Sequence, residues 1–495
     1  MELLLTLDVG TTSVKAGLFQ ADWTPVAFVI REYVLETPQK DYVELDPMVY
    51  WTHTQSAIRE LLTHPAADPA RVASITCTTQ GETLTPVDRM GNPLHKAVVW
   101  LDARASRQAE QIEQAFDNLI FYQKTGLPEI NGYCPVAKLL WFREERPDIY
   151  AQTWKFFLVE DFLLYQLCGQ AVTNPALVCS TGYFDIFRGE YWEDMLAFCG
   201  IDKDKLPQVL PCGHFVGTIR PEAADMLGLP HHVKITTGAM DQVASAIGSG
   251  NTAPGIVTET TGTCLVAAAT CEKRMPHVLS PVSFYCHAIG DQYLQVAVNQ
   301  TAGIAYKWFR DEFCPDLKML GDEAAFPAMN ALAEEAPPLS KGLIFFPHMT
   351  GMQFPRVDPD VRGGFFGAGL DTGRGCFLRA MMEGVGYMLR ESVEAMGVEP
   401  HEILSMGGGA KSDLWCQIKA DICGIPVSTP ASGETTLLGA AALGGSALGL
   451  CSLEAAPDIK RSQRIFLPRQ DLREVYSKAY DRYRQMYEHF APLFH

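Results

Sequence analysis

The sequence predicts an α/β protein built from two large domains. Its 495 residues exceed what one hydrophobic core ordinarily serves. Strand-like apolar runs are interspersed with amphipathic helical ones, the pattern of an α/β fold. A strand, a Gly/Thr turn and a second strand occur near the start of each half, which suggests a duplicated architecture.

In chain order, residues 3–20 supply the first such hairpin: LLLTLDV, then GTTS, then VKAGLF. Residues 47–63 read as a helix, 71–78 as a buried strand and 137–145 as a helix. A short strand over 233–237 ends at Gly238 and leads into Asp241. The second hairpin is GIVTETTGTCLVAAAT, residues 255–270. Beyond it, 375–396 is a long helix, 403–406 a strand running into three glycines, 414–423 a helix, and 470–489 a charged amphipathic helix. Residues 435–453 carry no charge over nearly the length of a membrane span. Gly, Ala, Ser and Thr fill most of that stretch, so a buried, tightly packed helix is expected and no membrane span.

The composition, 47% hydrophobic and 20% charged, is that of a globular chain rather than a disordered one. A net charge of −18 repels a phosphate backbone, so nucleic acid is not an expected partner. The 14 cysteines are scattered from Cys77 to Cys451 without a C-x-x-C pair or zinc spacing, and read as free thiols of a reducing compartment. The opening MELLLTLDVGTT lacks a basic n-region and meets Asp8 early, so the expected location is cytoplasmic.

Candidate chemistry gathers at the turns. The segment Asp8-Val-Gly-Thr-Thr-Ser places Thr11, Thr12 and Ser13 in a Gly/Thr turn whose N–H groups and hydroxyls suit phosphate oxygens. Asp8 can hold a magnesium ion through water, and Lys15 adds positive charge just beyond. A tight hairpin needing Gly10 only for its backbone explains the same residues equally well. Gly262 and Thr263 form the matching turn of the second copy. Gly408 and Gly409 lie between a strand and a helix, where glycine lets a base or ribose approach the backbone, or simply starts the helix. No G-x-x-x-x-G-K-[ST] segment and no His-Glu-x-x-His helix occur.

A kinase of neutral hydroxyls needs one carboxylate to accept the alcohol proton, and an ordinary Asp suffices. Asp241, in TGAMDQVA, stands at a strand end and a helix start; it fits that role, and it fits a helix N-cap. Glu82, in TTQGET, and its neighbour Gln80 can bind sugar hydroxyls. Trp100 and Asp102, in VVWLDAR, add an aromatic wall to a polar site, although core packing accounts for Trp100 as readily.

With these pieces in order, the sequence resembles the FGGY carbohydrate kinases, the family of glycerol, xylulose, gluconate and fuculose kinases. The resemblance covers essentially the whole chain: DVGTTSVK, TTQGET, VVWLDAR, TGL…YCPVAKLLW, TGAMDQ, TTGT, GLIFFPHMTGMQFPRVDPDVRG, SMGGGAKSDLWCQIKADICGIPV and ETTLLGAAALG. It implies two actin-like (ribonuclease H-like) domains, 1–247 and 248–495, around an interdomain cleft. It also implies Asp241 as general base with Gln242 beside it, and Thr11, Thr12, Ser13, Lys15, Gly262 and Thr263 as phosphate contacts. Gly303 sits five residues before Trp308 in the family's nucleotide segment, and Gly408, Gly409 and Ser412 fall where adenosine is held. Glu82 and Tyr133 match substrate contacts of the glycerol kinases, and Lys138 keeps its spacing from Tyr133.

Two departures bear on the substrate. The glycerol kinases carry an Arg where this chain has Gly81, and the xylulose kinases a Gln-Met-His-Gly loop that TTQGET is not. Losing a guanidinium fork argues against glycerol, and Gly81 is expected to leave room for a larger polyol or ketose. The function implied is transfer of phosphate from magnesium-ATP to a small sugar or polyol, by a chain that is a candidate homodimer. Its rivals are an actin-like nucleotide switch, which would need the two turns but not Asp241 with Glu82, Gln80 and Tyr133, and a sugar-sensing pseudokinase, against which stands the presence of Asp241.

Overall fold

The computed structural model describes residues 2–276, 280–430, 433–453 and 461–495. Two sheets organise the chain. The first contains β1 (Leu3–Val9), β2 (Ser13–Gln20), β3 (Pro25–Glu32), β4 (Val72–Thr79), β5 (Phe215–Thr218) and β6 (Lys234–Thr236), in the order β5-β6-β4-β1-β2-β3. The second contains β7 (Ile256–Thr261), β8 (Leu265–Glu272), β9 (Ser283–Cys286), β10 (Gln292–Asn299), β11 (Glu402–Met406), β12 (Val427–Pro430) and β13 (Arg461–Phe466), in the order β9-β10-β8-β7-β11-β12-β13.

The two sheets repeat one plan. Strands β1, β2 and β3 form an antiparallel meander, and β1 continues in parallel to β4 and then β6. Strands β7, β8 and β10 do the same, and β7 continues in parallel to β11 and then β12. An antiparallel strand, β5 or β13, closes the far edge of each. The duplication suggested by the two hairpins is thus a duplication of topology. Parallel strands covered on both faces are buried nearly throughout: LLLTLDV is almost continuously apolar, and in VASITCTT the small polar Ser74, Thr76 and Thr78 are buried as well.

Helices that frame the sheets and the site include α1 (Pro47–Leu61), α2 (Pro135–Glu145), α3 (Val159–Cys168), α4 (Asp241–Ser249), α5 (Gly303–Phe313), α6 (Arg374–Met396), α7 (Asp413–Cys423), α8 (Thr435–Ala447) and α9 (Gln470–Phe490). Local chemistry sets some of their ends. Asp46 caps α1 by accepting from Met48 N at 2.9 Å, with Pro47 preset for the first turn. Gly397 ends α6 in the left-handed conformation.

Helices α4 and α8 are exchanged between the halves. Val243, Ala246 and Ile247 of α4 pack with Ala268, Leu294 and Val296 of the second sheet. Leu437, Leu438 and Ala441 of α8 pack with Leu4 and Phe19 of the first. The two helices cross each other at backbone distance: a Cβ on Gly439 would lie 1.8 Å from Ala244 O, and one on Gly248 1.9 Å from Thr435 O. That crossing explains the uncharged Gly/Ala segment, which folds as the buried helix α8 as far as Ala447; the expected helix stops there, and Gly449 and Leu450 beyond it are exposed. Among the described residues no helix is long and apolar enough to cross a membrane. All the cysteines are free.

Candidate active site

Parallel strands that end side by side deliver their loops to one place. Strands β1 and β4 pair Asp8 with Thr78 and Val9 with Thr79, and Thr79 bridges to Met240. Three loops therefore leave adjacent strand ends: Gly10–Thr12 after β1, Gln80–Glu82 after β4, and Gly238–Asp241 after β6. Asp8, Glu82 and Asp241 come with them.

Asp241 feels the charges of the other two. Burial pushes Asp241 up to about 7, and the charges of Asp8 and Glu82 add to that while a hydrogen bond from Gln242 N (2.6 Å) opposes it. Burial pushes Glu82 to about 7 against the attraction of Lys138. Burial raises Asp8 to about 6; Lys15 opposes this and Glu434 reinforces it. A group of partly exposed acids held near neutral pH is suited to accepting a proton or a cation.

Glu82 adopts φ +59, a left-handed conformation costly for a side chain of its type. Lys138, fully buried on α2, holds that loop by donating to Glu82 O (3.3 Å) and Val99 O (2.9 Å). Burial lowers Lys138 to about 8, opposed by the neighbouring Asp102 and Glu82. Trp100 ties the first turn to this wall, its indole N–H donating to Thr11 Oγ1 at 2.9 Å. Gln80 is 3% exposed; its Nε2 donates to Tyr50 OH while its Oε1 has no partner. Gln242 follows Asp241 in the first turn of α4, and Tyr133 is exposed just before α2.

Two expectations are corrected. Asp102 does not face the cluster: it is fully buried, and its oxygens accept from Val43 N (2.6 Å) and from Arg104 Nε (2.8 Å) and Arg104 Nη2 (2.6 Å). It secures the wall from behind, because a buried carboxylate needs a full set of donors. Gly81 does not open the pocket either. A Cβ there would meet Met240 Sδ and Ser180 Oγ at 3.0 Å each, so its space is already filled.

The second half supplies a matching set of turns. Strands β7 and β11 pair Thr260 with Met406, bringing Gly262-Thr263 beside Gly407–Gly409. Gly303 begins α5 against this turn, its N–H donating to Gly262 O at 2.8 Å; a Cβ there would be 2.3 Å from that oxygen. Ser412 departs from its expected place on adenosine. It is 6% exposed and caps α7, accepting from Trp415 N at 3.3 Å, so the exposed Gly408 is left to meet a ligand. Beneath these turns lies a dry ionic knot: Lys419 pairs with Glu259, both fully buried, and Thr261 Oγ1 donates to Glu259 Oε2 at 2.7 Å.

The halves meet across the site. Lys15 pairs with Glu434 at 3.0 Å, and Ser245 Oγ and Thr435 Oγ1 are 2.9 Å apart. One side chain was missed by the sequence reading. Tyr285, on β9 of the second half, has its phenol pushed up chiefly by burial, with Glu82 and Asp241 adding to the effect. Nothing in the local pattern Ser-Phe-Tyr-Cys marks it, since only the association of the halves brings it to those acids.

Comparison with known proteins agrees with this geometry. The family profiles described as "FGGY family of carbohydrate kinases, N-terminal domain" and "C-terminal domain" match residues 3–248 and 256–448. The chain is 28% identical over 499 residues to a xylulose kinase of Bacillus subtilis (strain 168), covering 100% of this chain and 98% of that one. It is 31% identical over 464 residues to a glycerol kinase of Brucella ovis, covering 90% of each. It superposes on the crystal structure of a xylulose kinase from Rhodospirillum rubrum with a TM-score of 0.90 at 25% identity, over 100% of both chains. The chain therefore belongs to the FGGY family of carbohydrate kinases, phosphotransferases that act on alcohol groups.

Proposed function

We propose that this enzyme phosphorylates one hydroxyl of a small neutral sugar, a ketose such as xylulose or a related polyol, with ATP and magnesium as co-substrates. The observation that carries the reading is the convergence of Asp241, Glu82 and Asp8 at three adjacent strand ends, each acid raised toward neutral pH. The cluster is acidic, and its two nearby cations are engaged: Lys138 on backbone carbonyls and Lys15 on Glu434. Such a pocket favours hydroxyls over an aldonate or a sugar phosphate. Glycerol is disfavoured because Gly81 lacks the guanidinium fork expected of a glycerol site, and a Cβ at that position would already crowd Met240 Sδ and Ser180 Oγ.

The residues fit a magnesium ion. Asp8 and Asp241 offer hard carboxylate oxygens, and the charge of Asp8 raises the proton affinity of Asp241, the condition a bound cation relieves. When bound with ATP, magnesium would neutralise phosphate charge. The remaining work falls to side chains of this chain. Glu82, Gln80, Gln242 and Tyr133 orient the sugar, with Tyr285 closing the pocket from the second half. Asp241 accepts the proton of the attacking hydroxyl, and its elevated basicity serves that task at neutral pH. The turns at Gly10–Ser13 and Gly262-Thr263 hold the phosphates, and Lys15 leaves Glu434 to join them. Closure of the two halves about the α4–α8 crossing excludes water, which suppresses idle ATP hydrolysis.

The test is sugar-dependent ADP release across ketoses, polyols and aldonates. Strong turnover on a neutral ketose or polyol supports the reading; turnover confined to aldonates or glycerol overturns the substrate class.

A further inference from the structure

The turn that presents Asp241 is held from below by a carboxylate that lies outside the cluster. Gly238 begins that turn, and a Cβ on it would lie 1.7 Å from Cys77 O, so the backbone is pressed against β4. Its N–H is turned away from that strand and donates to Glu160 Oε1 at 2.8 Å. Thr78 Oγ1 donates to Ala239 O at 2.7 Å, the next step toward Asp241. Glu160, in the first turn of α3, is fully buried.

The second oxygen of Glu160 reaches another part of the site. Glu160 Oε2 accepts from Asn174 Nδ2 at 2.9 Å, and Asn174 is fully buried too. The orientation of that amide is fixed, because Asn174 Oδ1 accepts from Leu177 N at 3.1 Å as the cap of the turn Pro175–Val178. That turn runs on to Ser180, whose Oγ fills the space beside Gly81, and to Cys179, whose Sγ accepts from Cys286 N beside Tyr285 at 3.3 Å.

We infer that Glu160 is a positioning residue for phosphoryl transfer: one buried carboxylate sets the Asp241 turn through Gly238 and the substrate wall through Asn174. The inference rests on the kinase reading proposed above. A buried carboxylate is costly unless both oxygens are satisfied, and here both are spent on segments that carry the site. A displacement of about 1 Å in such a frame costs about 100-fold in rate.

The hydrogen-bond pattern supplies a test by exchange of roles. In E160Q the new side-chain NH2 meets either Gly238 N–H or the Asn174 NH2, donor against donor. In E160Q/N174D the glutamine oxygen accepts from Gly238 while its NH2 donates to the new carboxylate, whose other oxygen still caps Leu177. E160Q should lose about 10- to 100-fold in kcat with ATP affinity unchanged, and the double variant should return to within about threefold of the parent. Amide hydrogen exchange over 234–244 should accelerate in E160Q and slow again in the double variant, with near-UV circular dichroism confirming that both are folded.

Parental kcat in E160Q, or a folded double variant no better than E160Q, overturns the inference. If the parent shows no sugar-dependent turnover on any compound, the kinase reading falls and the exchange measurement decides alone. Protection lost and regained then keeps Glu160 as the anchor of this turn, and unchanged protection refutes it.

Discussion

Replacing Asp241 by Asn separates its chemical role from its electrostatic cost. The Asn oxygen can keep the 2.6 Å bond from Gln242 N, so the first turn of α4 retains its geometry. Without a base for the hydroxyl proton, kcat should fall by about 100- to 10,000-fold while ATP still binds. Stability should move the other way. In the unfolded chain this Asp ionises near 3.8, whereas in the folded protein burial, Asp8 and Glu82 hold it near 7. The folded state thus retains the proton longer, and the wild type loses stability as pH rises from 4 through 7. The carboxyl is partly exposed, so the full cost of the shift, about 4 kcal/mol, is an upper bound, and D241N should gain about 2 kcal/mol at pH 8. That gain should be about 1 kcal/mol smaller at pH 6. Urea titrations at the two pH values, without nucleotide or magnesium, measure it alongside coupled ADP release. A variant that keeps a third of the parental kcat, or whose stability difference is the same at both pH values, refutes the reasoning.

Other consequences follow from the same contacts. Because Asp241 and Glu82 are both held near 7, kcat/KM should decline at least tenfold per unit below that pH and level off above it; a profile flat down to pH 5.5 contradicts the assignment of the base. Removing Lys419 strands a fully buried Glu259, so K419M should destabilise the second half by about 3–5 kcal/mol, and E259Q/K419M should recover much of it, as read by urea unfolding. Adding a side chain at the helix crossing should force α4 and α8 apart: G439V should lower Tm by about 8 °C or more and reduce turnover on every sugar.

The sequence by itself determined the elements and the turns. Apolar runs marked the strands, and the two Gly/Thr hairpins marked a duplication that the shared strand order bears out. Local rules sufficed because the strands, caps and turns depend on residues a few positions apart. Of the ambiguous stretch 435–453, residues 435–447 were legible as a buried helix, yet its purpose was not, because the exchange of α4 and α8 between halves is a long-range contact. The site divided in the same way. Asp8, Glu82 and Asp241 could be named from their loops, but their shared rise toward neutral pH arises only where β1, β4 and β6 end together. Trp100 proved to be a strut for the first turn, whereas Asp102 and Ser412 were taken by close neighbours, Arg104 two residues on and Trp415 N three residues on, with Val43 N the distant donor to Asp102. Tyr285 and Glu160 carry no motif at all. Where a contact joins distant segments, as at Lys15–Glu434, Glu160–Gly238 and Tyr285 beside Glu82, tertiary structure alone decides what a side chain touches, because no rule of local spacing brings those segments together.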